Sequence, residues 1–152
     1  MRKLSLPPKI KVLEALSSVA DGRIKPKSDK EATVISSDEQ REYSVFLDLE
    51  RGIATSTDNG TKFRGYIGYP IIAFLMLKGA LPYDEEMASK LEGIKWRYLN
   101  EKYKSYRIVE KIVTEEFVKR GGDREKLEAL VKQVMEKLEK MELFSPEEGE
   151  EI

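Results

Sequence analysis

The sequence predicts an α+β fold: an N-terminal helix, a three- to four-stranded antiparallel meander, a buried central helix and C-terminal helices. Three observations carry this. Apolar residues recur every three or four positions near the start and throughout the second half. Between them they recur every second position. The two patterns meet at the run Gly65–Gly79, GYIGYPIIAFLMLKG, where seven apolar residues from Ile71 to Leu77 follow one another without a polar break. Periods of 3.6 and 2 mark helices and strands, and a helix apolar on all sides is enclosed on all sides.

Pro7-Pro8 lead into Ile10, Val12, Leu13, Leu16, Val19 and Ala20, one helix face that Asp21-Gly22 ends. Residues 23–30 are polar, contain a proline and read as a loop. Ala32–Ile35 is a short β-branched strand. Tyr43, Val45, Leu47 and Leu49 alternate with Ser44, Phe46 and Asp48 and give a second, and Ile53–Thr57 a third. Asp58-Asn59-Gly60 reads as a type I′ hairpin, after which Thr61–Tyr69 returns as a fourth strand. Pro70 starts the central helix and Gly79 stops it. Gly65 and Gly68 allow another backbone to come close to the strand that contains them. A short helix runs from Tyr83 or Asp84 to Leu91. One long helix then carries Trp96, Leu99, Tyr103, Tyr106, Val109, Val113 and Phe117 on one face. After Gly121-Gly122, Asp123 caps a last helix with Leu127, Leu130, Val131, Val134, Met135, Leu138 and Met141 on its apolar face. Residues 1–144 read as a single compact domain, and 145–152 as an acidic, frayed tail.

The chain of 152 residues contains no Cys and no His. That removes thiolate nucleophiles, imidazole acid–base chemistry, Ser-His-Asp triads and thiolate or imidazole metal sites. Charged residues make up 36%, with net charge −1, while Asn and Gln occur only at Asn59, Asn100, Gln40 and Gln133. Many ionic and few thermolabile residues are the pattern of a thermophile, and the absence of a signal sequence at Arg2–Pro8 places the expectation in its cytoplasm. The seven-residue apolar run falls far short of the roughly 20 residues that cross a membrane. No phosphate loop, dinucleotide fingerprint or calcium loop is present, so neither cofactor nor metal is expected.

What remains is a non-catalytic interaction or structural module, with Ile71, Phe74 and Leu75 as its candidate interface in a homodimer or with another protein. Charge segregation supplies the alternative. Residues 1–30 hold eight basic against three acidic residues, and 94–122 eight against four; the segments 31–93 and 123–152 are each five charges negative. If the basic segments meet, Arg23, Lys25, Lys27, Arg97, Lys102 and Lys104 face nucleic acid, with Tyr98 and Trp96 at hand for stacking. Residues 84–103 also loosely resemble a helix-turn-helix, with Gly93 one position later than the common spacing from Ala88. A small enzyme would run on Asp48, Glu50, Asp58, Asp84, Glu85 or Glu86 with Lys78 or Tyr83, and would hold one carboxylate of raised pKa in a pocket.

Overall fold

The computed structural model describes all residues, 1–152. Its elements run β1 (Arg2–Lys3), α1 (Ile10–Ala20), β2 (Ile24–Pro26), β3 (Glu31–Ile35), β4 (Glu42–Asp48), β5 (Ile53–Ser56), α2 (Asn59–Lys62), α3 (Tyr69–Leu77), α4 (Glu85–Ser89), α5 (Trp96–Tyr103), α6 (Tyr106–Lys119), α7 (Arg124–Lys140) and β6 (Phe144–Ser145). The class is α+β, with seven helices and one mixed sheet of six strands in the order β1-β6-β5-β4-β3-β2. All neighbours pair antiparallel except β5 and β6, which are parallel.

The meander is β2 to β5. Its alternation buries Ala32 and Val34 on β3 and Val45 and Leu47 on β4. The central helix α3 lies on this face, against β2, β4 and β5, and α1 covers its other side. α1 in turn packs on α4 and α7, so α3 is enclosed between sheet and helices, with Ile71, Ile72, Ala73 and Leu75 fully buried. The residues that predicted a helix apolar on all sides predicted its place as well.

The sheet has six strands rather than three or four, because two edges left no pattern to read. β1 and β6 are two residues long, too short for alternation, and β2 consists of Ile24-Lys25-Pro26 inside a stretch that reads as loop. The expected fourth strand at Thr61–Tyr69 does not form. Asp58 serves as an N-cap instead of a turn residue: its side chain accepts a hydrogen bond from Thr61 N at 3.1 Å, and Asn59-Gly60 enters a helical turn. Asp and Asn favour both structures, and here the cap wins because Thr61 Oγ1 also donates to Asp58 Oδ1 at 2.9 Å. Of the expected strand only a parallel bridge between Ser5 and Tyr66 remains.

The expected long helix is two. Lys104 takes a left-handed conformation (φ 50°), and Ser105 caps α6 by accepting from Ile108 N. The apolar stripe gives the reason: Tyr103 and Tyr106, in its middle, are 36% and 37% exposed, so the stripe is interrupted where the helix breaks. The helix-turn-helix reading of 84–103 fails on length, since α4 spans five residues and residues 90–95 separate it from α5.

Candidate functional site

A polar cleft of about 430 Å³ lies where α1, the segment from Asp58 to Tyr69, the β3–β4 turn and α5 meet. Its floor comes from α1. Glu14 falls on the buried arc of that helix, one turn after Ile10 and one before Ser17 and Ser18, and its residue is 4% exposed. Lys11, three positions earlier, reaches it at 3.0 Å; the two side chains are 13% and 5% exposed. Asn100 Nδ2 on α5 donates to the same oxygen, Glu14 Oε1, at 3.3 Å. Burial works to lower the Lys11 pKa, but the Glu14 carboxylate and the hydroxyls of Tyr66 and Tyr106 outweigh it, and the amine is held above the ordinary lysine value. Lys11 also lies 5.1 Å from the Tyr106 ring centre.

The walls are aromatic. Tyr43 comes from β4, Tyr66 and Tyr69 from the loop and the start of α3, Trp96 and Tyr106 from α5 and α6. Tyr43 and Tyr69 meet edge to face, 6.1 Å between centres. Burial raises the pKa of the Tyr43, Tyr66 and Tyr69 hydroxyls, so all three stay protonated donors. Two glycines make the loop fit. A Cβ on Gly60 would strike the Tyr66 ring, and one on Gly68 would strike the side chains of Asp58 and Thr61. Gly68 N donates to Thr61 Oγ1 at 3.0 Å, which ties the start of α3 to the Asp58 cap.

The rim is held by Arg97. Its backbone N–H donates to Ser37 Oγ, its Nη1 pairs with Asp38 at 2.7 Å and its Nε with Glu101 at 3.2 Å. Arg23 sits deeper, donating to Asp21 Oδ2 at 3.1 Å and to Ile35 O at 2.7 Å. Arg64 is exposed at the opposite rim and forms no ion pair. Two buried polar atoms of cleft residues have no hydrogen-bond partner in the chain, Trp96 Nε1 and Asn100 Oδ1. No three carboxylates converge as a metal ion would require.

The residues singled out from sequence scatter around this cleft. Of the six basic candidates, Arg23 and Arg97 line it. Lys25 and Lys27 are exposed and lead away along β2, Lys27 roughly 13 Å of strand beyond Arg23. Lys102 lies on α5 over the exposed rings of Tyr98 and Tyr103, at 5.6 and 5.3 Å, and Lys104 follows at the helix end. Ile71, Phe74 and Leu75 are 0, 2 and 0% exposed within one chain and offer no surface to a second copy. Of the six candidate carboxylates, Glu50, Glu85 and Glu86 are exposed, while Asp48, Asp58 and Asp84 accept hydrogen bonds from the chain. Asp84 caps α4 through Met87 N, and Lys78 pairs with Asp29. Asp48 departs from the expected raised pKa: the Arg51 N–H, then Lys30, hold it below the ordinary value. Only Asp58 reaches the cleft, and Thr61 occupies both its oxygens. The floor pair went unread, although a Glu inside an apolar arc, with a Lys three positions before it, was a visible signal. No helix is long and apolar enough to cross a membrane.

No curated protein and no solved structure matches the chain. A family pattern does, over residues 4–144, a span that includes every residue of the cleft. The chain belongs to the family described as Uncharacterised conserved protein UCP014422.

Proposed function

We propose that the chain is a binding module of a thermophile cytoplasm, and that its cleft takes a small polar molecule with a flat ring. The composition supports the setting: no Cys, few Asn and Gln, and abundant charge of both signs. The observation that carries the binding reading is the floor of the cleft. A buried ion pair lies among five aromatic side chains, beside two buried polar atoms that no group of the chain satisfies. An unpaired buried polar atom costs about 1–3 kcal/mol and is rare in folded chains. The cleft also has the volume usual for small-ligand sites.

Trp96 is the only tryptophan, so its emission reports on the cleft alone. The test is a titration of the chain with nucleotides, sugar phosphates, amino acids and dicarboxylates, followed by Trp96 emission and by thermal unfolding. A ligand at a hundred times its Kd adds about 2.7 kcal/mol, roughly 5–11 °C for a domain of this size. One class of compound is expected to move both signals. If none moves either, the reading is wrong.

The exposed Tyr98–Lys102–Tyr103 cluster beside the cleft favours a second reading, single-stranded nucleic acid lying along α5. Arg23 and Arg97 are already committed to protein partners, which leaves Lys25, Lys27, Lys102 and Lys104 for phosphates. Four contacts give a log–log salt slope of about −3 for a single strand. Anisotropy of a labelled single strand that stays flat at low salt excludes it.

A further inference from the structure

We infer that α5 is a lid on the cleft, closed in this structure, which moves about the residues on either side of it and controls what enters. The gating role rests on the binding reading above; the motion does not.

α5 gives the cleft Trp96, Arg97, Asn100 and Glu101. Of its eight residues only Trp96 is buried, whereas α3, with nine, buries seven. A helix this short does not hold by itself in water, so α5 keeps its form through what it touches. On the cleft side those contacts are polar. Lys95 stands at the N-cap, but its side chain caps nothing; the Arg97 N–H donates instead to Ser37 Oγ, 3.1 Å away on the β3–β4 turn. Arg97 Nη1 reaches Asp38 on the same turn at 2.7 Å, and Asn100 Nδ2 reaches Glu14 at 3.3 Å. The Arg97 and Asp38 side chains are 31% and 35% exposed, so water competes for this latch.

Other groups oppose the closed position. The two buried polar atoms without a partner in the chain, Trp96 Nε1 and Asn100 Oδ1, both belong to α5. Each loses water when α5 closes and gains no bond; moving α5 outward returns that water. Lys104, just past the helix, is held left-handed at φ 50°, which is unfavourable for a residue with a side chain. The Trp96 ring, 3% exposed, favours closure. An element pulled both ways has two positions, and a ligand that touches both α5 and the cleft floor biases it towards one. The hinges are Lys95 and Lys104, both outside helical geometry, because Ile94 before them and Val109 after them are fixed in the core.

Hydrogen exchange of the full chain, read by mass spectrometry, tests the motion without a ligand. Amides of α5 are expected to exchange at least about a hundredfold faster than those of α1 and α3. The chain has no cysteine, and the bond from Arg97 N to Ser37 Oγ keeps the two Cα atoms within about 7 Å, inside the reach of a disulfide. Ser37→Cys/Arg97→Cys is thus locked by oxidation and unlatched by reduction. Oxidation should slow both the exchange of α5 and the quenching of Trp96 by acrylamide about tenfold relative to the reduced protein, with α1 and α3 unchanged. Arg97→Ala, which depends on no disulfide, should speed both about fivefold over the unaltered chain. A compound that shifts Trp96 emission should slow exchange along α5. If α5 is as protected as α1, or Arg97→Ala changes nothing, the lid is overturned. A compound that shifts Trp96 and leaves exchange of α5 unaltered overturns the gate and keeps the binding cleft. If α5 moves and no compound shifts Trp96, the cleft and its gate fall together and the motion stands.

Discussion

Removing the Glu14 carboxylate tests the cleft floor directly. Glu14→Ala leaves the Lys11 ammonium enclosed, 13% exposed, beneath Tyr106 with no carboxylate in reach. It also takes away the acceptor of Asn100 Nδ2. Breaking a buried pair by deleting one partner costs about 3–5 kcal/mol, because a charge stays behind without water or counter-ion. For a domain of this length each kcal/mol is worth about 2–4 °C, so the melting temperature should fall by roughly 6–20 °C. Lys11→Met should cost a similar amount. The double variant Lys11→Met/Glu14→Leu should recover most of the loss, since a well-packed apolar pair is often as stable as a buried ionic one. Scanning calorimetry on the four proteins gives the coupling energy. A loss below about 1 kcal/mol for Glu14→Ala would show that the pair behaves like a surface one and refute its enclosure. The double variant should fold and fail to bind, which separates the pair's contribution to stability from its part in recognition.

Phe74→Ala, at a side chain 2% exposed between sheet and α1, should cost about 3–5 kcal/mol and lower the denaturant midpoint without changing the slope. Gly68→Ala drives a methyl group into the Asp58–Thr61 contact; by near-UV circular dichroism it should disturb the tyrosines and lower stability by about 1–3 kcal/mol, and an unchanged melting temperature would contradict the close packing. The alkaline limb of stability follows from groups whose folded pKa is raised. Lys11 lies above its ordinary 10.5, so its contribution is complete below that pH and is lost as pH rises through the folded value. Tyr66 and Tyr69 lie above their ordinary 10.0, so the unfolded chain ionises them first and stability declines beyond that point. Thermal stability should therefore fall above about pH 10, with the absorbance of the Tyr66 and Tyr69 tyrosinates appearing together with unfolding rather than before it.

Periodicity located α1, α3 and α7 because each has one uninterrupted apolar face, or none that is polar. It failed where a residue serves two structures. Asp58-Asn59-Gly60 suits a hairpin and a helix start equally, and the choice depended on Thr61, whose hydroxyl is invisible to a hydrophobic pattern. It also failed for β1 and β6, whose pairing joins residues more than 140 positions apart. The cleft was half visible. GYIGY displays Tyr66 and Tyr69, while Trp96 marks a helix face and Arg97 a basic segment. Their convergence on Lys11 and Glu14 is a product of α1 lying across α3, which no local spacing encodes.

The position of β6 bears on the order in which the molecule is completed during synthesis. Residues 24–56 form their hairpins with neighbours in the chain, but β1 has no strand partner until Phe144 and Ser145 slide between it and β5. Leu4 N then bonds Leu143 O, and the next residue, Ser5, bonds Gly65 O and accepts from Ile67 N. Tyr66, held between those two residues, is thereby fastened from the far end of the chain. At about 5–20 residues per second on the ribosome, the cleft wall stays open for several seconds after its own residues have emerged. A chain that stalls before residue 144 presents a folded meander with an unfinished pocket wall at Tyr66, a difference that its secondary structure alone does not reveal.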